Sequence, residues 1–260
     1  MSAGERLSEE FGRLDRGDGI HLAWARLPGR GPTTVFLTGF RSDMEGSKAT
    51  ALRDFCADEG RAFLRFDYSG HGASDGRFEE GCIGEWAMDA AVAIEKLTAG
   101  PLVLVGSSMG GWISLLLLRR MAARVQALVG IAPAPDFTER LMWPALTEVH
   151  REAILRDGMV PVESPYGPPV PLTRKLFEDG RNQLVLNQPI PFAGPVRILQ
   201  GMRDNEVPWQ YAPEIAQRLE APDVRITLVK EGDHRLAREE DLVLLVETLR
   251  GLLGGGAASP

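Results

Sequence analysis

Two neighbouring serines, Ser107 and Ser108, stand in the stretch VLVGSSMGGW at residues 103–112. A hydroxyl that attacks an acyl carbon from a tight strand-to-helix bend needs small residues two positions to either side, because the backbone there is strained and crowded. Ser108 has Gly106 and Gly110 at those places, whereas Ser107 has Val105 and Met109. The spacing selects Ser108, and the chemistry it predicts is nucleophilic acyl transfer.

A serine hydroxyl is a weak nucleophile at neutral pH, so it needs a general base within hydrogen-bonding reach and an acid that orients the base. The chain has four histidines. His21 falls in an early strand, His71 in a glycine-rich loop and His150 in the middle of the chain. His234, in KEGDHRL after the last strand, occupies the loop expected to deliver the base. The chain order serine, carboxylate, histidine points to Asp204 in GMRDNEVPW as the acid, with Asp136 one strand earlier as the reserve. The oxyanion of the tetrahedral intermediate requires two backbone N–H donors. Met109, next after the nucleophile, and Phe40, after the strand 33–38, are the positions expected to supply them.

Such residues meet only if a scaffold brings distant loops to one edge. HLAWARLPG (21–29) and TTVFLTGF (33–40) read as an opening hairpin, the first strand alternating like an exposed edge. Ser47 is placed to cap the helix that ends at Gly60, and AFLRFD (62–67) leads into the glycine-rich loop. Helix 84–100, strand 101–106, helix 109–122, strand 124–132, strand 196–201, helix 209–219, strand 224–232 and helix 239–253 follow. Alternating strand and helix predicts an α/β fold with a mostly parallel sheet covered on both faces. Residues 133 to about 193 are proline-rich and offer no strand to that sheet; they read as a cap inserted into a single domain, and 254–260 as a disordered tail.

Composition narrows the function. A formal net charge of -7, without basic residues clustered among aromatics, argues against a nucleic-acid partner. The apolar run WISLLLL (112–118) is far shorter than a membrane span, and the acidic N-terminal stretch lacks the pattern of a leader, which points to a cytoplasmic protein. Cys56 and Cys82 read as buried free thiols, and no spacing suggests a metal or other cofactor.

FLTGFRSDMEGSKA (36–49), RFDYSGHGASDG (65–76), LVGSSMGGW (104–112), GMRDNEVPW (201–209) and GDHR (232–235) together resemble the α/β-hydrolases over almost the whole chain, in particular the group that includes a mitochondrial S-depalmitoylase also acting on acyl-glucuronides. The resemblance implies the α/β-hydrolase fold, Ser108, Asp204 and His234 as nucleophile, acid and base, and esterase or thioesterase activity without a cofactor. Thr38 departs from it, since many hydrolases carry histidine before the glycine of that loop.

The expected substrate is a small-molecule or acyl-chain ester or thioester. Apolar cap residues such as Phe137, Leu141, Trp143, Tyr166 and Phe177 suit an acyl chain, with Trp143 as a contact, while Arg41, Lys48 and Arg235 near the mouth would favour an anionic leaving group such as a glucuronate. Two alternatives remain: a serine aminopeptidase-like amidase, which would need an acidic anchor for the substrate amine, and a non-enzymatic ligand-binding protein of the same fold.

Overall fold

The computed structural model describes residues 7–164 and 167–254. Its main sheet is built from β1 (Glu10–Asp15), β2 (His21–Leu27), β3 (Arg30–Leu37), β4 (Arg61–Phe66), β5 (Leu102–Ser107), β6 (Val125–Ile131), β9 (Val196–Gly201) and β10 (Val224–Val229). The spatial order is β1-β2-β4-β3-β5-β6-β9-β10. Only the β1–β2 and β2–β4 pairs are antiparallel.

The central strands are apolar at successive positions because both faces are covered. On one side Val35, Leu37, Leu102 and Leu104 pack with α2 (Ile83–Leu97), α3 (Met109–Met121) and α7 (Tyr211–Arg218). On the other, Phe36, Val103, Val105 and Ile131 pack with α1 (Ser47–Asp58) and α8 (Glu239–Gly254). Cys56 and Cys82 are buried free thiols, and burial pushes each up to about 12.

Between β6 and β9 the chain leaves the sheet. A π turn (Thr138–Met142) runs into the one-turn α4 (Trp143–Ala145), followed by α5 (Glu148–Asp157), a separate hairpin of β7 (Met159–Ser164) and β8 (Gly167–Thr173), and α6 (Arg174–Asn182). The segment adds no strand to the main sheet, and its own hairpin is not foreseen by the sequence reading. Tyr166 lies outside the described residues, as does the expected tail apart from Gly254, which ends α8.

Three local expectations are corrected. β2 and β3 do not pair as a hairpin, because β4 inserts between them: Leu27 and Thr34 both lie beside Phe63. Alternation in β2 reveals which side chains point inward but not which strand lies alongside. The edge is instead β1, whose polar sequence leaves Phe11 exposed and gave no apolar signal. Finally, Ser47 does not cap α1; Gly46 is the N-cap and no side chain bonds across it.

Candidate active site

Ser108 joins β5 to α3 with φ 52 and ψ −115, a left-handed φ that a non-glycine residue adopts only under constraint. The flanking glycines explain how the bend closes. A Cβ on Gly106 would lie 2.3 Å from the Gly110 carbonyl oxygen, and one on Gly110 would lie 2.0 Å from that of Leu37. Helix α3 thus abuts the end of β3, and its N-terminus lies against the loop that leaves that strand. A Cβ on Gly39 would come within 3.5 Å of Ser108 Cβ, so Phe40 follows directly on a residue that touches the serine.

Three side chains from three loops meet in series. His234 Nε2 lies 3.0 Å from Ser108 Oγ, and His234 Nδ1 lies 2.8 Å from Asp204 Oδ2. The other Asp204 oxygen accepts the backbone N–H groups of Glu206 (2.9 Å) and Val207 (2.8 Å). Burial pushes the Asp204 carboxyl up, but the hydrogen bond and charge of His234 and the two backbone donors outweigh it and hold the group below the usual carboxylate range. Asp136, the reserve acid, is turned elsewhere, accepting the N–H groups of Val185 and Leu186.

Gln200 escaped the sequence reading, whereas His71 was placed in the glycine-rich loop without a partner. Gln200, fully buried in β9, donates from Nε2 to Asp204 Oδ2 at 2.9 Å and to the Val207 carbonyl at 3.2 Å, fixing both the carboxylate and its loop. The spacing of four residues from Gln200 to Asp204 was the available signal, but a strand glutamine has no distinctive pattern. His71 is also buried. The Arg41 backbone N–H donates to its Nε2 at 3.2 Å, so Nδ1 carries the proton and faces the Ser69 carbonyl at 3.2 Å. Burial pulls this imidazole down to about 4, assisted by the Arg41 charge and opposed by the Ser69 carbonyl. His71 thereby anchors the residue after Phe40, at a backbone position where Arg41 has φ 58.

An aromatic wall surrounds the Phe40 ring, which meets Phe78, Trp86 and Phe137 edge to face with centroids 5.0, 5.9 and 5.6 Å away. Trp143 packs edge to face on Phe177, and the Arg181 guanidinium lies over its ring. The Arg41 guanidinium donates to the Pro168 carbonyl of β8 at 3.1 Å. Arg235 is exposed beside His234, and Lys48 Nζ donates to its carbonyl at 2.6 Å. Among the described residues no helix is long and apolar enough to cross a membrane, and no cluster of acidic, histidine and cysteine side chains suits a metal ion.

A family model described as "Serine aminopeptidase, S33" matches residues 35–159. The mitochondrial palmitoyl-protein thioesterase ABHD10 of mouse is 37% identical over 242 residues, covering 92% of this chain and 81% of its own. The human protein of that name is 36% identical, with 92% and 79% covered. Among solved structures, a putative hydrolase from Agrobacterium vitis S4 is 39% identical with a TM-score of 0.88, covering 96% of this chain and all (100%) of its own. The mouse alpha/beta hydrolase domain-containing protein 10 is 36% identical with a TM-score of 0.86, covering 94% of this chain and 98% of its own. These findings overturn the expected cytoplasmic location: the curated relatives are mitochondrial, so an acidic N-terminal stretch does not indicate the cytoplasm.

Proposed function

This chain belongs to the α/β-hydrolases, in the family of the ABHD10 thioesterases, and on that premise we propose that it cleaves acyl thioesters and carboxylic esters through an acyl-serine intermediate. The observation that carries the reading is the unbroken hydrogen-bond series from Asp204 through His234 to Ser108, at a bend where the serine backbone is strained.

In this mechanism Ser108 Oγ attacks the acyl carbon while its proton passes to His234 Nε2. Asp204, accepting from Nδ1–H, keeps the imidazole in the tautomer that leaves Nε2 able to receive that proton, and stabilises the imidazolium that results. The backbone N–H groups of Met109 and Phe40 receive the carbonyl oxygen as it becomes negative, each worth about 3 kcal/mol in a dry site. As the bond to the leaving group breaks, His234 gives the proton to the departing sulfur or oxygen, which leaves as a thiol or alcohol. Water then attacks the acyl-serine with His234 again as base, releasing the carboxylic acid and restoring the serine.

The aromatic wall around Phe40 supports an apolar acyl chain, and the name palmitoyl-protein thioesterase carried by the relatives is in keeping with one. In the same reading residues 133–193 act as a cap, tied to the Phe40 loop through Arg41 and Pro168. A fluorophosphonate probe should label the protein and fail to label Ser108→Ala, whose turnover should fall by about 10⁶. A loss below about tenfold would remove Ser108 from the mechanism. Acyl thioesters of increasing length, p-nitrophenyl esters and aminoacyl amides define the bond: the reading requires thioesters and esters to be cleaved, and turnover of amides alone overturns it.

A further inference from the structure

The charge beside His234 is not basic alone. Arg41 and Lys48, two of the three basic residues expected to attract an anionic leaving group, each direct a side-chain donor to a backbone carbonyl, that of Pro168 and that of Arg235. Asp204 sits on the Nδ1 side of the ring. Close to the other nitrogen lies a second carboxylate: Glu206 Oε2 is 3.7 Å from His234 Nε2, and its side chain is 43% exposed. The loop holds the Glu206 backbone beside the imidazole, because the Glu206 and Val207 N–H groups are both fastened to Asp204 Oδ1.

Nε2 is the atom that returns the proton to the leaving group in the acyl-serine reading, on which this inference rests. A leaving atom hydrogen-bonded to it at about 3 Å lies within about 7 Å of the Glu206 carboxylate. The proton from Nε2 cancels the charge that develops on the departing sulfur or oxygen, so the field of Glu206 bears chiefly on fixed charges nearby. We propose that Glu206 is a specificity-determining residue: its carboxylate disfavours leaving groups that carry a fixed negative charge next to the scissile bond and favours neutral or cationic ones. An S-acyl cysteine in a neutral or basic stretch of peptide then suits the site better than one flanked by acidic residues, and better than a glucuronate, whose carboxylate approaches Glu206.

The test uses three S-butyryl thioesters that differ only in the leaving thiol: thiocholine (cationic), 2-mercaptoethanol (neutral) and mercaptoacetate (anionic). Comparing kcat/KM of the intact protein with that of Glu206→Gln cancels the intrinsic reactivities of the three. The cationic-to-anionic preference should fall by about three- to tenfold in Glu206→Gln, as expected for charges roughly 6–10 Å apart in a partly exposed site, and should invert in Glu206→Lys. Raising salt to about 0.5 M should shrink the preference of the original protein and leave that of Glu206→Gln unmoved. A preference that stays within about twofold in both variants overturns the role of Glu206 while leaving the hydrolase intact, provided that the neutral thioester is cleaved and the fluorophosphonate probe reacts. Neither cleavage nor labelling in the original protein overturns both. A matched pair with the charge on the acyl chain should not respond; a response confined to that pair also overturns the assignment.

Discussion

Gly110→Ala tests how the bend at Ser108 is held. The added Cβ would sit 2.0 Å from the Leu37 carbonyl oxygen, 2.6 Å from its carbon and 2.8 Å from the Thr38 oxygen, whereas real Cβ contacts do not fall below 3.0 Å. All three atoms are backbone. β3 cannot yield, since β4 and β5 flank it and helices cover it on both faces. Helix α3 must therefore retreat by roughly 1 Å, carrying Ser108 and the Met109 N–H with it, a displacement that costs about 100-fold in a positioned reaction.

Overpacking of this kind costs about 2–3 kcal/mol, which corresponds to a fall in Tm of about 4–6 °C for a chain of this size. Thermal unfolding followed by circular dichroism reads the stability, and butyryl-thioester turnover with fluorophosphonate labelling reads the site. Gly251→Ala is the control: it lies on the exposed side of α8 with nothing within 4 Å of an added Cβ, and should leave the melt unchanged or raise it by the helix-propensity gain of about 1 kcal/mol. Turnover within about threefold of the original and a melt within about 1 °C in Gly110→Ala would refute the view that close approach of α3 to β3 sets the bend.

Two further predictions concern the buried side chains Gln200 and His71. Gln200→Met keeps the volume but removes a donor from Asp204, so kcat should fall about tenfold with KM little changed; equal change in both, or none, would make Gln200 a packing residue only. His71 titrates at about 4 when folded against 6.5 for the free side chain, so between those values the unfolded chain binds a proton that the folded one refuses. Stability from this residue is thus complete above about pH 6.5 and falls by up to about 3 kcal/mol towards pH 4. The difference in urea-unfolding free energy between the original protein and His71→Gln should narrow over that interval, and a constant difference would contradict the buried, neutral imidazole.

What the sequence made legible was local. The bend at Ser108 was readable because strand, glycines, serine and helix are contiguous, and because a Cβ at either glycine meets backbone. Asp204 and His234 were readable from the ends of apolar strands, where a chain in a parallel sheet must emerge on the same edge. The failures involve neighbours across space. Nothing in β2 announces that β4 rather than β3 lies beside it, and the polar run of β1 resembles a loop until Gly12 is seen to admit the Trp24 ring.

The same distinction applies to the charge at the site. Segments bearing Arg41, Lys48 and Arg235 converge on the expected mouth, but convergence does not say where a long side chain ends. Arg41 reaches a carbonyl 127 residues away and Lys48 one 187 residues away. Glu206, only two residues from Asp204, drew no attention because one carboxylate already filled the role of acid. Its backbone is held by the other acid: one oxygen of Asp204 accepts from His234, and the other accepts the N–H groups of residues 206 and 207. If His234 is the base and Glu206 acts on the leaving group as proposed, a substitution at Asp204 should alter leaving-group preference along with rate.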